Sequence, residues 1–115
     1  MNDDIMSNEV RKGFLKITIL RIVKAQPSHG YEIIQEIGKM THHNWTPSPG
    51  SVYPALEFLE KKGYIQGVES DRKKVYTITA KGENALNQMY EKRKQWMQEM
   101  EIFFGDILEE KYDDQ

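Results

Sequence analysis

The chain has 115 residues, of which 38% are hydrophobic and 30% charged, and its formal net charge is −2 at pH 7. This length predicts one domain with a modest core, and the absence of cysteine excludes disulfides, thiol catalysis and cysteine-ligated zinc. No apolar run is long enough to cross a membrane and no signal sequence opens the chain, so we expect a cytoplasmic protein without membrane contact.

The first two predicted elements are helices. From about Asn8 to Ala25, apolar residues that include Phe14, Ile17 and Leu20 recur at helical spacing. A second helix is predicted from about Gly30 to Met40, and a polar loop follows it.

The third predicted helix has the clearest boundaries in the chain. Ser48 offers a capping hydroxyl, Pro49 suits the first helical position, and Gly63 ends the helix after two lysines. Apolar residues between these boundaries fall on one stripe.

A hairpin and a long helix complete the chain. Two strand-like runs, residues 64–69 and 75–79, enclose a polar tip that carries Arg72, Lys73 and Lys74. Thr79 then caps a helix from about Ala80 to Glu110, and at 1.5 Å per residue this helix is about 45 Å long.

The apolar stripe of this last helix is too long for the rest of the chain to cover. Its residues alternate in steps of three and four, interrupted by Arg93. A second copy of the chain is the simplest cover, so we expect a homodimer. The predicted interface comprises Leu86, Met89, Trp96, Met100, Phe103 and Ile107.

This order of elements is typical of a winged helix-turn-helix, mainly α with a small β-hairpin. We expect a DNA-binding domain at residues 8–79 and a dimerisation helix at residues 80–112. The third helix would enter the major groove of double-stranded DNA with Gly50, Ser51 and Tyr53 leading, and the basic tip would meet the backbone. Residues 1–79 carry 11 Lys and Arg against 9 Asp and Glu, which permits DNA binding without requiring it.

Several short segments in a fixed order carry a family signature. They are HGYEI at residues 29–33, SPGSVYPAL at 48–56, LEKKGYI at 59–65 and DRKKVYTITAKG at 71–82. Together they resemble the PadR-type transcriptional regulators over residues 10–110. The resemblance implies a prokaryotic, nucleoid-associated dimeric repressor, which a small molecule often releases from a palindromic operator.

The resemblance also assigns roles to residues. It implies phosphate contact by the turn from His29 to Tyr31, and the single C-terminal helix is similar to that of the short subfamily. In some of its members, a tryptophan of the last helix binds flat hydrophobic drugs in the dimer interface, and Trp96 occupies the matching place, with Met89 and Met100 beside it. The predicted DNA-contacting residues are His29, Gly30, Tyr31, Ser48, Gly50, Ser51, Tyr53, Arg72, Lys73 and Lys74. A wing with one arginine departs from the family, which often has more.

Other interpretations remain open for the same residues. Tyr53 could pack in the core, the basic tip could be a solvated turn, and the Trp96 stripe could simply pack. Regulation could act through protein level, without a ligand. An alternative function is a protein–protein adaptor that has lost DNA contact, which the acidic balance favours and the basic wing opposes.

Enzymatic and metal-dependent functions have little support. The sequence contains no catalytic triad pattern, carboxylate pair or phosphate-cradling glycine loop. Adjacent His42 and His43 would point to different sides of a helix. We therefore expect neither a cofactor, nor a metal, nor an enzyme.

Overall fold

The computed structural model describes the backbone of residues 5–113 and the side chains of residues 11–105. This range is mainly helical with one small sheet, in agreement with the predicted class. The elements are, in chain order, α1 (Ile5–Ala25), β1 (Ser28–His29), α2 (Gly30–Met40), α3 (Pro49–Lys61), β2 (Ile65–Ser70), β3 (Lys73–Ile78) and α4 (Ala80–Asp113).

The sheet has three antiparallel strands in the order β1-β3-β2. Strands β2 and β3 form the predicted hairpin, in which Ser70 pairs with Lys73 at the tip. Strand β1 was not predicted, because two residues are too short to show an alternating pattern. It pairs Ser28 with Tyr76 and His29 with Val75, and so ties the start of α2 to the hairpin.

One hydrophobic core joins the first three helices to the sheet and to the beginning of α4. Each large apolar side chain removed from water contributes about 1.5–3 kcal/mol to this packing. The buried core residues are Leu15, Ile19, Leu20, Ile22, Val23, Ile33, Ile34, Ile37, Val52, Ala55, Leu56, Leu59, Ile65, Tyr76 and Leu86.

Helix α1 has two apolar faces. Leu15 and Ile19 lie in the core, whereas Phe14 is largely exposed and Ile17 is only partly buried. Phe14 and Ile17 line a groove between α1 and α4. Between Phe14 and Ile19, the helix therefore contacts both the core and the groove beside α4.

Two predicted helix boundaries are confirmed. Gly63 has a left-handed φ of 81°, and the N–H of Tyr64 donates to the carbonyl of Leu59 at 2.9 Å, as in a glycine-terminated helix. The Thr79 hydroxyl accepts from the N–H of Gly82 at 3.1 Å and donates to the carbonyl of Gly63 at 2.6 Å. Thr79 therefore caps α4 and also joins it to the end of α3.

The described residues form neither a membrane span nor a metal site. No helix within residues 5–113 is long and apolar enough to cross a bilayer. Among the side chains that the structure describes, no group of three His, Asp or Glu is placed to hold a metal ion. His42 and His43 lie in the turn after α2, both with positive φ, and not on a helix.

Candidate nucleic-acid interface

Three elements meet around one open cleft of about 470 Å³. They are the start of α2, the first turns of α3, and the β2–β3 hairpin, which we call the wing (residues 65–78). Seven of the ten predicted DNA-contacting residues line this cleft, together with a tyrosine of β3 that the sequence did not single out. The lining residues are His29, Gly30, Tyr31, Tyr53, Arg72, Lys73, Lys74 and Tyr76.

A reciprocal cap fixes the start of α2. The backbone N–H of His29 donates to the Glu32 carboxylate at 3.0 Å, and the N–H of Glu32 donates to His29 Nδ1 at 3.5 Å. This is a capping box in which histidine takes the place of serine or threonine. The spacing of His29 and Glu32 was the signal that could have revealed it.

Gly30 and Tyr53 are in close contact across the cleft. A Cβ at position 30 would lie 2.6 Å from both Cε1 and the hydroxyl oxygen of Tyr53. A glycine is therefore required at position 30 for the ring of Tyr53 to lie where it does. The ring remains partly exposed, so its hydroxyl can still meet a ligand in the cleft.

The predicted hydroxyl cap of α3 is wrong in one respect. Ser48 has the extended backbone of a cap residue, and its carbonyl accepts from the N–H groups of Ser51 and Val52 at 3.0 Å each. Its side chain makes no capping bond, because the hydroxyl lies 3.4 Å from the hydroxyl of Ser51 instead. In the described part of the chain, the N–H of Gly50 has no acceptor, and an N–H at a helix start favours an anion.

The tip of the wing is shorter than predicted. Only Asp71 and Arg72 form the turn, both with positive φ (51° and 66°), whereas Lys73 and Lys74 belong to β3. Two left-handed residues are typical of the two-residue turns whose twist matches a hairpin. The structure therefore places one cation at the tip and two on the strand beside it.

Lys74 is engaged within the protein. Its ammonium lies 2.8 Å from Glu60 on α3, and the other oxygen of that carboxylate accepts from the N–H of Gly67 at 3.2 Å. A side chain at position 67 would collide with Lys74, so Gly67 leaves the space through which the lysine reaches α3.

The pKa shifts of Glu60 and Lys74 follow from this ion pair. The hydrogen bond from Lys74 holds the pKa of the Glu60 carboxyl below its ordinary value, and the same bond raises the pKa of Lys74. Both groups are therefore charged at neutral pH, and the pair links the wing to α3. Lys74 was predicted to contact phosphate, but in this structure its charge is shared with Glu60.

Tyr76 is the cleft residue that the sequence did not reveal. It is almost fully buried, and burial raises the pKa of its phenol. The phenol therefore stays protonated at neutral pH and keeps a hydrogen-bond donor at the cleft wall. Alternation along β3 places Tyr76 on the same side of the strand as Lys74.

The exposed part of α4 carries most of the predicted interface. Trp96 and Phe103 expose 57% and 70% of their surfaces, and Met89 and Met100 are also exposed. Leu86 differs, since it is fully buried in the core of its own chain and offers no side-chain surface to a partner. Ile107 lies outside the residues whose side chains the structure describes.

Trp96 borders a groove of about 450 Å³ between α1 and α4. Met89 lines the same groove from α4, and Phe14 and Ile17 line it from α1. Met100 is not part of this lining. Spacing along α4 predicted that Met89 and Trp96 share one face, but the sequence contained no signal that α1 would supply the opposite wall.

Comparisons with known proteins agree with this architecture. A family model described as "Transcriptional regulator PadR-like family" matches residues 19–88. The "Transcriptional regulator YqjI" of Escherichia coli (strain K12) is 40% identical over 77 residues, which are 66% of this chain. The same match covers only 37% of that relative, so this chain corresponds to little more than a third of its length.

Solved structures are similar over almost the whole chain. A transcriptional regulator from Clostridium thermocellum has a TM-score of 0.75 at 25% identity, covering 90% of this chain and 98% of the other. A PadR-like transcription factor from Bacteroides fragilis has a TM-score of 0.72 at 25% identity, covering 87% and 99%. Since the family model matches more than half of its residues, the chain belongs to the PadR-like family of transcriptional regulators, which are DNA-binding proteins and not enzymes.

Proposed function

We propose that the protein is a homodimeric transcriptional repressor that binds a palindromic operator, and that a planar hydrophobic ligand releases it. In this proposal, residues 8–79 contact the DNA and residues 80–112 hold two copies together. The observation that carries it is the convergence of α2, α3 and the wing on one basic cleft.

The proposed DNA contacts follow from the chemistry of this surface. Arg72 and Lys73 supply positive charge for the phosphate backbone, and Gly50 supplies an N–H at the start of α3. Tyr53 stands on the first turns of α3 with a polar tip, in the position from which a recognition helix reaches base edges. Base contact would give sequence preference, and phosphate contact would give affinity.

The proposed dimer rests on the exposed apolar surface of α4. Trp96, Met100 and Phe103 lie on one face of a helix that is about 50 Å long, and all three remain exposed within the described chain. A twofold dimer would present two copies of α3, and half-sites would lie about one helical turn of DNA apart.

The proposed ligand site is the groove beside Trp96. An indole ring and the flexible side chain of Met89 can stack on a flat guest. Because the groove joins α1 to α4, a ligand there would favour one angle between the DNA-binding head and the dimerisation helix. Such a ligand shifts DNA affinity only by its preference for one of the two geometries.

The function is tested by DNA binding to promoter fragments from the genome that encodes the protein. We expect one or a few fragments to bind at least about a thousandfold more tightly than the rest, which is the usual margin of a specific site. Tyr53→Ala should remove this preference while sedimentation shows an unchanged dimer. If every fragment bound with the same non-specific affinity, the protein would not be a sequence-specific regulator. Recovery of a protein partner without DNA would then support the alternative function of a protein–protein adaptor.

The ligand is tested separately by tryptophan fluorescence. In a Trp45→Phe variant, Trp96 alone reports on binding of a panel of planar aromatic compounds. Quenching accompanied by weaker operator binding supports ligand-controlled release. A panel that leaves the emission unchanged supports regulation through protein level instead.

A further inference from the structure

Helix α1 carries positive charge beside α3. Residues 11–25 hold five Lys and Arg and no Asp or Glu. Three of these cations, Arg11, Lys12 and Lys16, line open grooves whose opposite walls come from α3 and the loop before it. We call Arg11, Lys12 and Lys16 the α1 basic face.

This face adjoins the part of α3 already proposed to contact DNA. One groove is lined by Arg11, Lys12 and Ser51, and the next by Lys12, Lys16, Gly50 and Ser51. The α1 basic face is therefore continuous with the first turn of the recognition helix.

A lysine–phenylalanine contact fixes part of this surface. The ammonium of Lys16 lies 4.2 Å from the centre of the Phe58 ring, and that of Lys62 lies 5.7 Å from the same ring. The ring face attracts both cations, so Phe58 holds two positive charges close to α3. Phe58 itself exposes 41% of its surface.

The spacing of residues on α3 separates this surface from the wing. Tyr53 and Glu60 are seven residues apart and therefore share one face of α3. Tyr53 points to the cleft, and Glu60 points to Lys74 of the wing. Ser51 and Phe58 are also seven residues apart and point to α1. Positive charge thus flanks the recognition helix on both sides.

We infer that the α1 basic face is a second phosphate-binding surface, which contacts the DNA backbone on the flank of α3 opposite the wing. The inference rests on the proposed DNA-binding function and extends its footprint. A helix in the major groove lies between two phosphate backbones, so cations on both flanks match the charge of both strands. These contacts would add affinity without sequence preference.

The salt dependence of DNA binding tests the inference. The full chain is titrated onto a labelled mixed-sequence duplex of about 30 base pairs at several salt concentrations, because phosphate binding is independent of sequence. Each phosphate contact contributes about 0.9 to the slope of log affinity against log salt, or about 3.5-fold over a fourfold change in salt. We expect an Arg11→Gln/Lys16→Gln variant to lower the magnitude of the slope by about 1.8 per bound chain, which is the contribution of two contacts.

Matched variants separate charge from folding. Lys24→Gln removes the same charge from the same helix, about 12 Å further along, at a residue outside these grooves, and it should leave the slope unchanged. Arg11→Gln/Lys16→Arg keeps the charge at position 16 beside Phe58, so it should restore one of the two contacts that the double glutamine variant loses. Loss of affinity with an unchanged slope would show that Arg11 and Lys16 only support the fold, and would overturn the inference.

A wing variant distinguishes failure of the inference from failure of the function. If Arg72→Gln lowers the slope and Arg11→Gln/Lys16→Gln does not, only the α1 basic face is wrong. If the unmodified chain binds neither this duplex at low salt nor any promoter fragment of its genome, the DNA-binding function itself fails.

Discussion

The ring of Tyr53 occupies the space in which a side chain at position 30 would begin. The two residues come from different helices, α2 and α3, and both line the cleft between these helices and the wing. Position 30 therefore controls where the aromatic side chain of α3 points, even though Gly30 itself offers only backbone to a ligand.

Gly30→Ala should move Tyr53 without unfolding the protein. Residue 30 opens α2 and has no left-handed φ, so its backbone accepts alanine without strain. The methyl group would push the partly exposed ring outward, so we expect stability to be retained and operator affinity to fall about tenfold or more. Thermal unfolding and fluorescence anisotropy with operator DNA measure the two effects.

Gly13→Ala is the control for this substitution. Among the described residues, no atom outside the neighbouring backbone lies within 4 Å of a Cβ at position 13, so the methyl group should alter neither the ring nor DNA affinity. Equal losses of affinity in both variants would refute a specific role for the contact between Gly30 and Tyr53.

The ion pair between Glu60 and Lys74 predicts a pH response of the wing. The pKa of Glu60 is lowered, so the pair stabilises the fold above the ordinary glutamate value of 4.5 and is lost as pH falls through the lowered pKa. The pKa of Lys74 is raised above 10.5, so the pair also survives mildly alkaline conditions. The amide of Gly67, which donates to Glu60, should report this titration in a nitrogen–proton correlation spectrum, with a midpoint below 4.5.

Two variants check the assignment of that midpoint. Lys74→Gln removes both the hydrogen bond and the charge, and should raise the midpoint towards the ordinary glutamate value. Glu57→Gln, on the preceding turn of α3, should barely move it. A midpoint that Lys74→Gln leaves in place would mean that the ion pair does not form in solution.

Arg72→Gly should stabilise the fold and weaken DNA binding. A non-glycine residue in the left-handed region costs about 1–2 kcal/mol, and Arg72 has a φ of 66°. Glycine removes that strain, so we expect unfolding free energy to rise by about 1 kcal/mol. Loss of the tip cation should weaken binding to any duplex several-fold.

Asp71→Gly provides the comparison on the same turn. It also relieves a positive φ, but it removes a negative charge, so DNA affinity should stay constant or rise. Chemical denaturation and anisotropy give both quantities. If Arg72→Gly destabilised the hairpin, strain at the tip would not be a property of the folded protein.

Phe103→Glu should separate the proposed dimer. Phe103 exposes 70% of its surface on α4, and burying such a side chain in an interface contributes about 1.5–3 kcal/mol. A charge there should raise the dimer dissociation constant at least about tenfold, which sedimentation velocity detects as a shift to the monomer.

Gln98→Glu adds the same charge on the opposite side of α4 and should leave the sedimentation profile unchanged. Dissociation by both variants, or by neither, would mean that the stripe containing Trp96 and Phe103 is not the interface.

Local sequence signals predicted much of the fold, and contacts between distant residues explain what they missed. Gly63 and Thr79 mark helix ends by their own conformational and hydrogen-bonding preferences, so both were visible in the sequence. Spacing placed Leu86 on the same stripe as Trp96 but could not show that the core of the same chain covers the first of these residues.

The candidate site also combines residues that local sequence signals predicted with residues that only contacts between distant positions reveal. Gly50, Tyr53 and Arg72 could be selected from motif and position, and Tyr53 and Arg72 meet at one cleft. Glu60 could not, because its importance comes from Lys74, fourteen residues later, across the space left by Gly67. Tyr76 was hidden for a similar reason, since an aromatic residue in a strand is ordinary until the strand's neighbours are known.

The two-residue turn at Asp71 and Arg72 has a thermodynamic consequence for association. A longer, glycine-rich tip would sample many conformations, and ordering each such residue on binding would cost about 1–2 kcal/mol of conformational entropy. Here the hairpin fixes the backbone of Arg72 during folding. The arginine is therefore preorganised, and only the rotamers of its side chain remain to be restricted when it meets a phosphate.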